Sequence, residues 1–170
     1  MGGIVPVVTA LPSSPRHDQE VYYDTGTAGV YWHLIYESVS AKWNFLGGAP
    51  LSAVVTHTNN TSSTSFQTTN TPTVTTPLAG DYILSFGSTL IQNQATTVNQ
   101  MELALFVAGS SDGLVFMISN NQFEGGAVEN SYLKTGLSAS TALNPRYRSQ
   151  SGKSSDFRYL FVMATPVRVS

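Results

Sequence analysis

The chain of 170 residues contains no cysteine, which excludes disulfides, a thiolate zinc site and a cysteine nucleophile. It is also poor in charge, with Asp, Glu, Lys and Arg at 11% of residues against about 25% in an average soluble domain. Eight basic and ten acidic side chains leave a net charge of −2. No segment carries the basic cluster that a phosphate-binding groove requires, so nucleic acid is not an expected partner. No run approaches the ~18 apolar residues of a membrane span. Residues 1–8 lack the basic start and unbroken apolar stretch of a secretory signal, and the expectation is a chain made in the cytoplasm with no membrane partner. Helical periodicity is scarce throughout.

Hydroxyls are abundant instead. Nineteen Thr and 21 Ser keep the surface wet, and Thr favours half-buried pleated surfaces. The apolar residues, within a hydrophobic share of 41%, recur with period two, as strands do. Residues 20–24, 30–37 and 42–46 read as a three-strand meander, with Thr25-Gly26-Thr27-Ala28-Gly29 as a hairpin connection and residues 5–15 as an extended arm in front. Residues 56–77, dominated by Thr, Ser and Asn, fit either a linker or exposed edge strands anchored by Phe66 and Val74; strands are the preferred reading. From Gly80 onward the alternation strengthens. Residues 80–86, 101–107 and 114–119 read as core strands, with a turn ending at Asp112-Gly113 between the last two.

Residues 120–130 and 144–156 read as polar loops. In residues 157–164, Phe157, Tyr159, Phe161 and Met163 share one side and Leu160, Val162 and Ala164 the other, so both faces of that strand need cover. Short strands with turn signals every 8–12 residues indicate an all-β sandwich or jelly roll. The division expected is an arm and meander over 1–50 and a sandwich over 51–170.

No catalytic constellation emerges. Gly-x-Ser-x-Gly is missing, the ten acids are scattered, and the three histidines, His17, His33 and His57, have no metal-ligand spacing. A single histidine repeated about a three-fold axis, His33 or His57, is the one arrangement that would gather three imidazoles. The reading is a non-enzyme with no cofactor and no metal. Aromatics are dense in the meander, and Val5, Val7, Leu11, Trp32, Tyr36, Trp43 and Phe45 are assigned to its packing and attachment. Phe157, Tyr159, Phe161 and Met163 are the candidate subunit seam. Asn121, Arg146, Tyr147, Arg148 and Lys153 are candidate recognition-loop residues, suited to an anionic polymer or an acidic neighbour.

Leu11-Pro12, Asp18-Gln19-Glu20-Val21-Tyr22-Tyr23, Val30-Tyr31-Trp32-His33-Leu34-Ile35-Tyr36 and Lys42-Trp43-Asn44-Phe45-Leu46-Gly47-Gly48 resemble a module of tail and fibre proteins of tailed bacteriophages. The chain departs from that pattern at His17-Asp18, where a tight-turn pair such as Asp-Gly is usual. Pro77-Leu78-Ala79-Gly80-Asp81-Tyr82 resembles the opening of trimeric jelly rolls of the tumour necrosis factor and C1q type, and Pro166-Val167-Arg168-Val169 is similar to the ends of such phage proteins. The resemblance implies a homotrimeric virion protein of the tail, a fibre or the capsid surface, in contact with other virion proteins. The alternative it leaves open is a receptor-binding protein whose jelly-roll loops recognise a host cell-surface glycan.

Overall fold

The alternation of residues 20–48 folds as read. In the computed structural model, which describes residues 4–92, 99–119 and 125–170, strands β2 (Glu20–Asp24), β3 (Tyr31–Glu37) and β4 (Lys42–Gly48) form an antiparallel meander. Val21, Tyr23, Trp32, Leu34 and Trp43 bury their side chains on its inner face. The arm is tied down rather than free: β1 (Val7–Val8) pairs in parallel with β2, Tyr22 N–H donates to Pro6 O at 2.8 Å, and Leu11 packs on the core. Val7 remains exposed.

The remaining strands are β5 (Leu51–Val55), β6 (Asn59–Thr61), β7 (Val74–Thr75), β8 (Gly80–Gln92), β9 (Asn99–Val107), β10 (Ser110–Ser119), β11 (Gly125–Leu137), β12 (Ala142–Ser149) and β13 (Ser155–Val169). Among the described residues no helix occurs, and two sheets pack as a sandwich. One layer runs β5-β13-β8-β11 and the other β7-β12-β9-β10, the winding of a jelly roll. The 15-residue β13 organises the larger sheet. One of its edges pairs along β8, and the other takes β6, β5 and β4 in succession. Through that last pairing, Val169 opposite Trp43, the meander continues the same sheet.

Inside, Tyr82, Leu84, Phe86 and Leu90 of β8 and Phe157, Leu160, Val162 and Ala164 of β13 belong to one core with Met101, Leu103, Leu105 and Tyr147 of the smaller sheet. The Tyr147 and Phe157 rings meet at 4.9 Å. Trp32 joins the meander to this core, with its ring 6.1 Å from that of Tyr82 and its Nε1–H donating to Ala49 O. Burial of that size in aromatic side chains is worth several kcal/mol before entropy is charged, at ~25 cal/mol per Å².

Three features depart from the strand pattern in the sequence. The β9–β10 turn lies at Ala108-Gly109, both with positive φ, as two-residue hairpin turns require; Asp112-Gly113 falls instead at a β-bulge. Gly125 to Asn130 belongs to β11 and Asn144 to Ser149 to β12, so the supposed loops are strand over these stretches, while residues 120–124 of the first lie outside the described residues. The third departure is a bulge in β13, where Tyr159 has φ 51° and Tyr159-Leu160 oppose Ser88 alone. An inserted residue reverses the side-chain parity beyond it. Phe157 therefore points inward with Leu160 and is fully buried. Ser88, itself buried, donates its hydroxyl to Arg158 O at 2.8 Å and satisfies the carbonyl freed there.

Gly47 and Gly48 provide an internal comparison. Gly48 has φ +125°, and a Cβ there would sit 2.2 Å from Tyr31 O, whereas Gly47 has open space around it. Gly48→Ala is expected to cost at least about 2 kcal/mol in urea unfolding, and Gly47→Ala less than about 1 kcal/mol.

Candidate functional site

Strand parity places two contrasting outer faces on the sandwich. On the larger sheet, the register Val54↔Phe161↔Gly87 and Ser52↔Met163↔Ser85 runs across β5, β13 and β8, continuing through Ser85↔Ser131 and Ile83↔Leu133 into β11. The result is an apolar band of Val54, Phe161, Met163, Ile83 and Leu133, with Tyr159 exposed at the bulge beside it. Val54 is 61% exposed, Leu133 and Tyr159 58% each. The absence of a side chain at Gly87 keeps the band flat, because a Cβ there would lie 2.5 Å from the Phe161 ring.

Serines separate the apolar rows, with Ser85 and Ser131 satisfying each other at 2.7 Å, and exposed Glu129, opposite Gly87, puts one carboxylate at the β11 end of the row of Val54, Phe161 and Gly87. The charges at the two ends of β13 are paired: Arg158 Nη2 donates to Asp156 at 3.0 Å, and Arg168 Nε donates to Asp81. Tyr159, Phe161 and Met163 of the expected seam thus lie on or beside this band. Phe157 does not, for it is inside the sandwich.

On the smaller sheet the outer face is polar and built from stacked cations. Arg146, Tyr147 and Arg148 lie in β12 and not in a loop. Tyr147 faces the core and its hydroxyl donates to Thr69 O at 3.0 Å. Its neighbours point outward: the Arg146 guanidinium lies 4.0 Å over the Phe106 ring and that of Arg148 4.4 Å over Phe66. The two rings meet edge to face at 5.3 Å, a geometry that the ring quadrupole favours. Arg148 also pairs at 2.6 Å with Glu102, a carboxylate almost wholly buried, which accepts a second bond from Gln100.

Phe66 therefore anchors the Thr-rich segment 56–77 across β12, reinforced by Gln67 N–H to Tyr147 O and by the Asn144 amide donating to Thr71, Pro72 and Thr73. Lys153 sits in the turn after β12, half-buried; Asn121 lies outside the described residues. The sequence reading missed Glu102, Phe66 and Phe106 as members of this face, although the period-two spacing of Arg146 and Arg148 marks a strand.

Of the module residues, Trp32 and Trp43 are buried, and Tyr36 and Phe45 pack against them with ring separations of 5.3 and 6.4 Å. Val5 is half-buried and Val7 exposed, so the arm lines the sheet edge more than the core. The histidines are dispersed. His17 contacts Ser38, His33 bonds Glu20 at 2.8 Å and stacks on Tyr22, and His57 lies at a cleft beside β6. Among the described residues no group of three or more His, Cys, Asp or Glu side chains is placed to hold a metal ion.

Neither a family model nor a curated protein matches the chain. Among solved structures it is similar to an insecticidal delta-endotoxin of Bacillus thuringiensis, at 17% identity and TM-score 0.38, over 72% of this chain and 20% of that one. It is similar to a family two carbohydrate esterase of Cellvibrio japonicus at 10% identity and TM-score 0.28, over 71% of this chain and 36% of the other. An exo-β-1,3-galactanase of Phanerochaete chrysosporium aligns at 10% identity and TM-score 0.31, over 78% and 33% of the two chains. The chain thus spans about a third or less of those proteins, and likenesses this distant transfer no activity to it.

The two arginines should separate on mutation. Arg148→Met strands a buried carboxylate and is expected to cost about 2–3 kcal/mol in denaturant unfolding, whereas Arg146→Met loses a ring contact worth about 1 kcal/mol or less.

Asp81 makes a pH-dependent contribution. The hydrogen bond from Arg168, then that from Gly136 N–H, hold its carboxyl below the usual range. With the folded value below the unfolded value of about 4, the stabilisation is present above the unfolded value and is lost as pH falls through the folded one. Asp81→Asn should therefore lower stability at about pH 7 and narrow the difference between about pH 7 and about pH 3, read by urea titration at both.

Proposed function

We propose that this chain is a non-enzymatic structural protein of a tailed-bacteriophage particle that acts by assembly: a homotrimer seated through the outer face of its larger sheet, with the 1–50 segment as its attachment module. The observation that carries the reading is the band of Val54, Phe161, Met163, Ile83 and Leu133, with Tyr159 beside it, bounded by ion pairs that are already satisfied. Apolar surface of this kind on a single chain marks an interface. A single exposed carboxylate, Glu129 opposite Gly87, lies in the band's first row, so a second copy of the chain fits this face where the two Glu129 side chains are offset from each other, since like charges facing across a self-interface would repel.

The attachment role rests on the other end of the sheet. Ile4, Val7, Tyr22 and Tyr31 are exposed around the β1–β2 edge, and apolar and aromatic side chains at a strand edge favour docking to another protein. The resemblance of the first fifty residues to phage tail and fibre modules supplies the particle.

Light scattering coupled to size exclusion at micromolar concentration is expected to give a mass of about three chains. Leu133→Glu, an exposed position in the monomer, should give one chain mass with an unchanged circular dichroism spectrum. A monomeric wild-type chain would contradict the assembly reading. Immunogold labelling with antibody to the chain should decorate purified phage particles; label confined to unassembled protein would contradict the virion assignment.

A further inference from the structure

Where the segment from His57 to Asn70 passes the Tyr147 end of β12, it encloses an open cleft of about 230 Å³. The assembly reading does not use this cleft. It is lined by amides, hydroxyls and one imidazole, with no charged side chain. Its frame is fixed from behind. The Asn59 amide nitrogen donates to Asn70 O at 3.4 Å, the Tyr147 hydroxyl to Thr69 O at 3.0 Å, and the Gln67 amide nitrogen to Ser63 Oγ and Ser65 O at 2.8 Å each.

These bonds use the nitrogens of Asn59 and Gln67, and among the described residues no donor reaches their amide oxygens. Asn59 is 4% exposed and lines the cleft, so its side chain is held in place by the fold. The His57 ring and the Asn70 side chain make no hydrogen bond among the described residues. Asn70 holds φ at 49°, a left-handed conformation that asparagine tolerates better than most residues.

We infer that this cleft binds a neutral sugar ring. Two preorganised acceptors beside two groups that both donate and accept match vicinal hydroxyls, which also do both. The lining offers no cation for a phosphate or carboxylate and no carboxylate for a metal or an amine. The Tyr147 ring is 3% exposed and gives no stacking face for a base. Asp156, bonded to Asn60 of the lining, is also engaged by Arg158, and the lining itself holds no acid, so the cleft binds without cleaving. One ring in so small and open a cleft implies an affinity of about millimolar per site, raised by avidity wherever several copies meet a polymer.

The test is a printed array of neutral and acidic glycans probed with the labelled full chain, beside Asn70→Gly and His57→Ala. Glycine is at home at the Asn70 backbone angle, and neither side chain supports the fold, so unchanged melting is expected for both. The wild type should retain neutral glycans, and each variant should lose about tenfold or more of that signal. Three results would overturn the inference: retention of acidic glycans alone, no glycan retained, or neutral binding unaltered by both substitutions. None of them bears on the solution mass, so the failure of this inference and that of the assembly reading are distinguishable.

Discussion

A strand that is apolar on both faces has no side to give to water, and β13 is such a strand at the middle of the larger sheet. Its inner face, Phe157, Leu160, Val162 and Ala164, is covered by the smaller sheet. Its outer face, Phe161 and Met163, is flanked by Val54 on β5 and reaches Ile83 and Leu133 through β8 and β11, leaving an apolar surface with little charge. The jelly-roll winding, the flat crossing of Phe161 over Gly87 and the ion pairs at the ends of β13 hold this strand in the middle of the sheet despite its two bulges, with one face left outward.

The same strand joins the two halves of the chain. Its last residues pair with β4, and its partner β8 carries Tyr82, against which Trp32 packs. The meander adds strands and aromatic area to an existing sheet, so backbone hydrogen bonds as well as side-chain packing join it to the sandwich. Proline is compatible with so central a strand only at an irregularity, and Pro166 sits beside the second bulge of β13.

Much of the architecture was legible because it follows from periodicity. The meander strands, the Thr25–Gly29 connection, the core alternation after Gly80 and the two-sided character of residues 157–164 all come from period two and turn chemistry. What was not legible depends on partners distant in sequence. The inserted residue at Tyr159 leaves no trace in composition, so Phe157 was grouped with the wrong face. Residues 144–149 read as a loop because Asn144, Pro145, Arg146 and Arg148 are poor strand formers on average. In the fold, Phe66 and Phe106 supply rings for those arginines and Glu102 a buried charge for Arg148, which makes a polar strand stable. Asp112-Gly113 looks like a hairpin turn, but the turn forms four residues earlier, at Ala108-Gly109, and the glycine at 113 instead makes room for the Tyr132 ring. The cleft beside His57 was invisible for the same reason: its members converge only after segment 56–77 is pinned across β12.

Hydroxyl-radical footprinting at Met163 decides whether the outer face of β13 is covered. Met101, fully buried in the core, is the internal standard. If the face is a subunit interface, the oxidation rate of Met163 falls toward that of Met101 as the chain is concentrated from nanomolar to micromolar. An unchanged rate for Met163 across that range would contradict it.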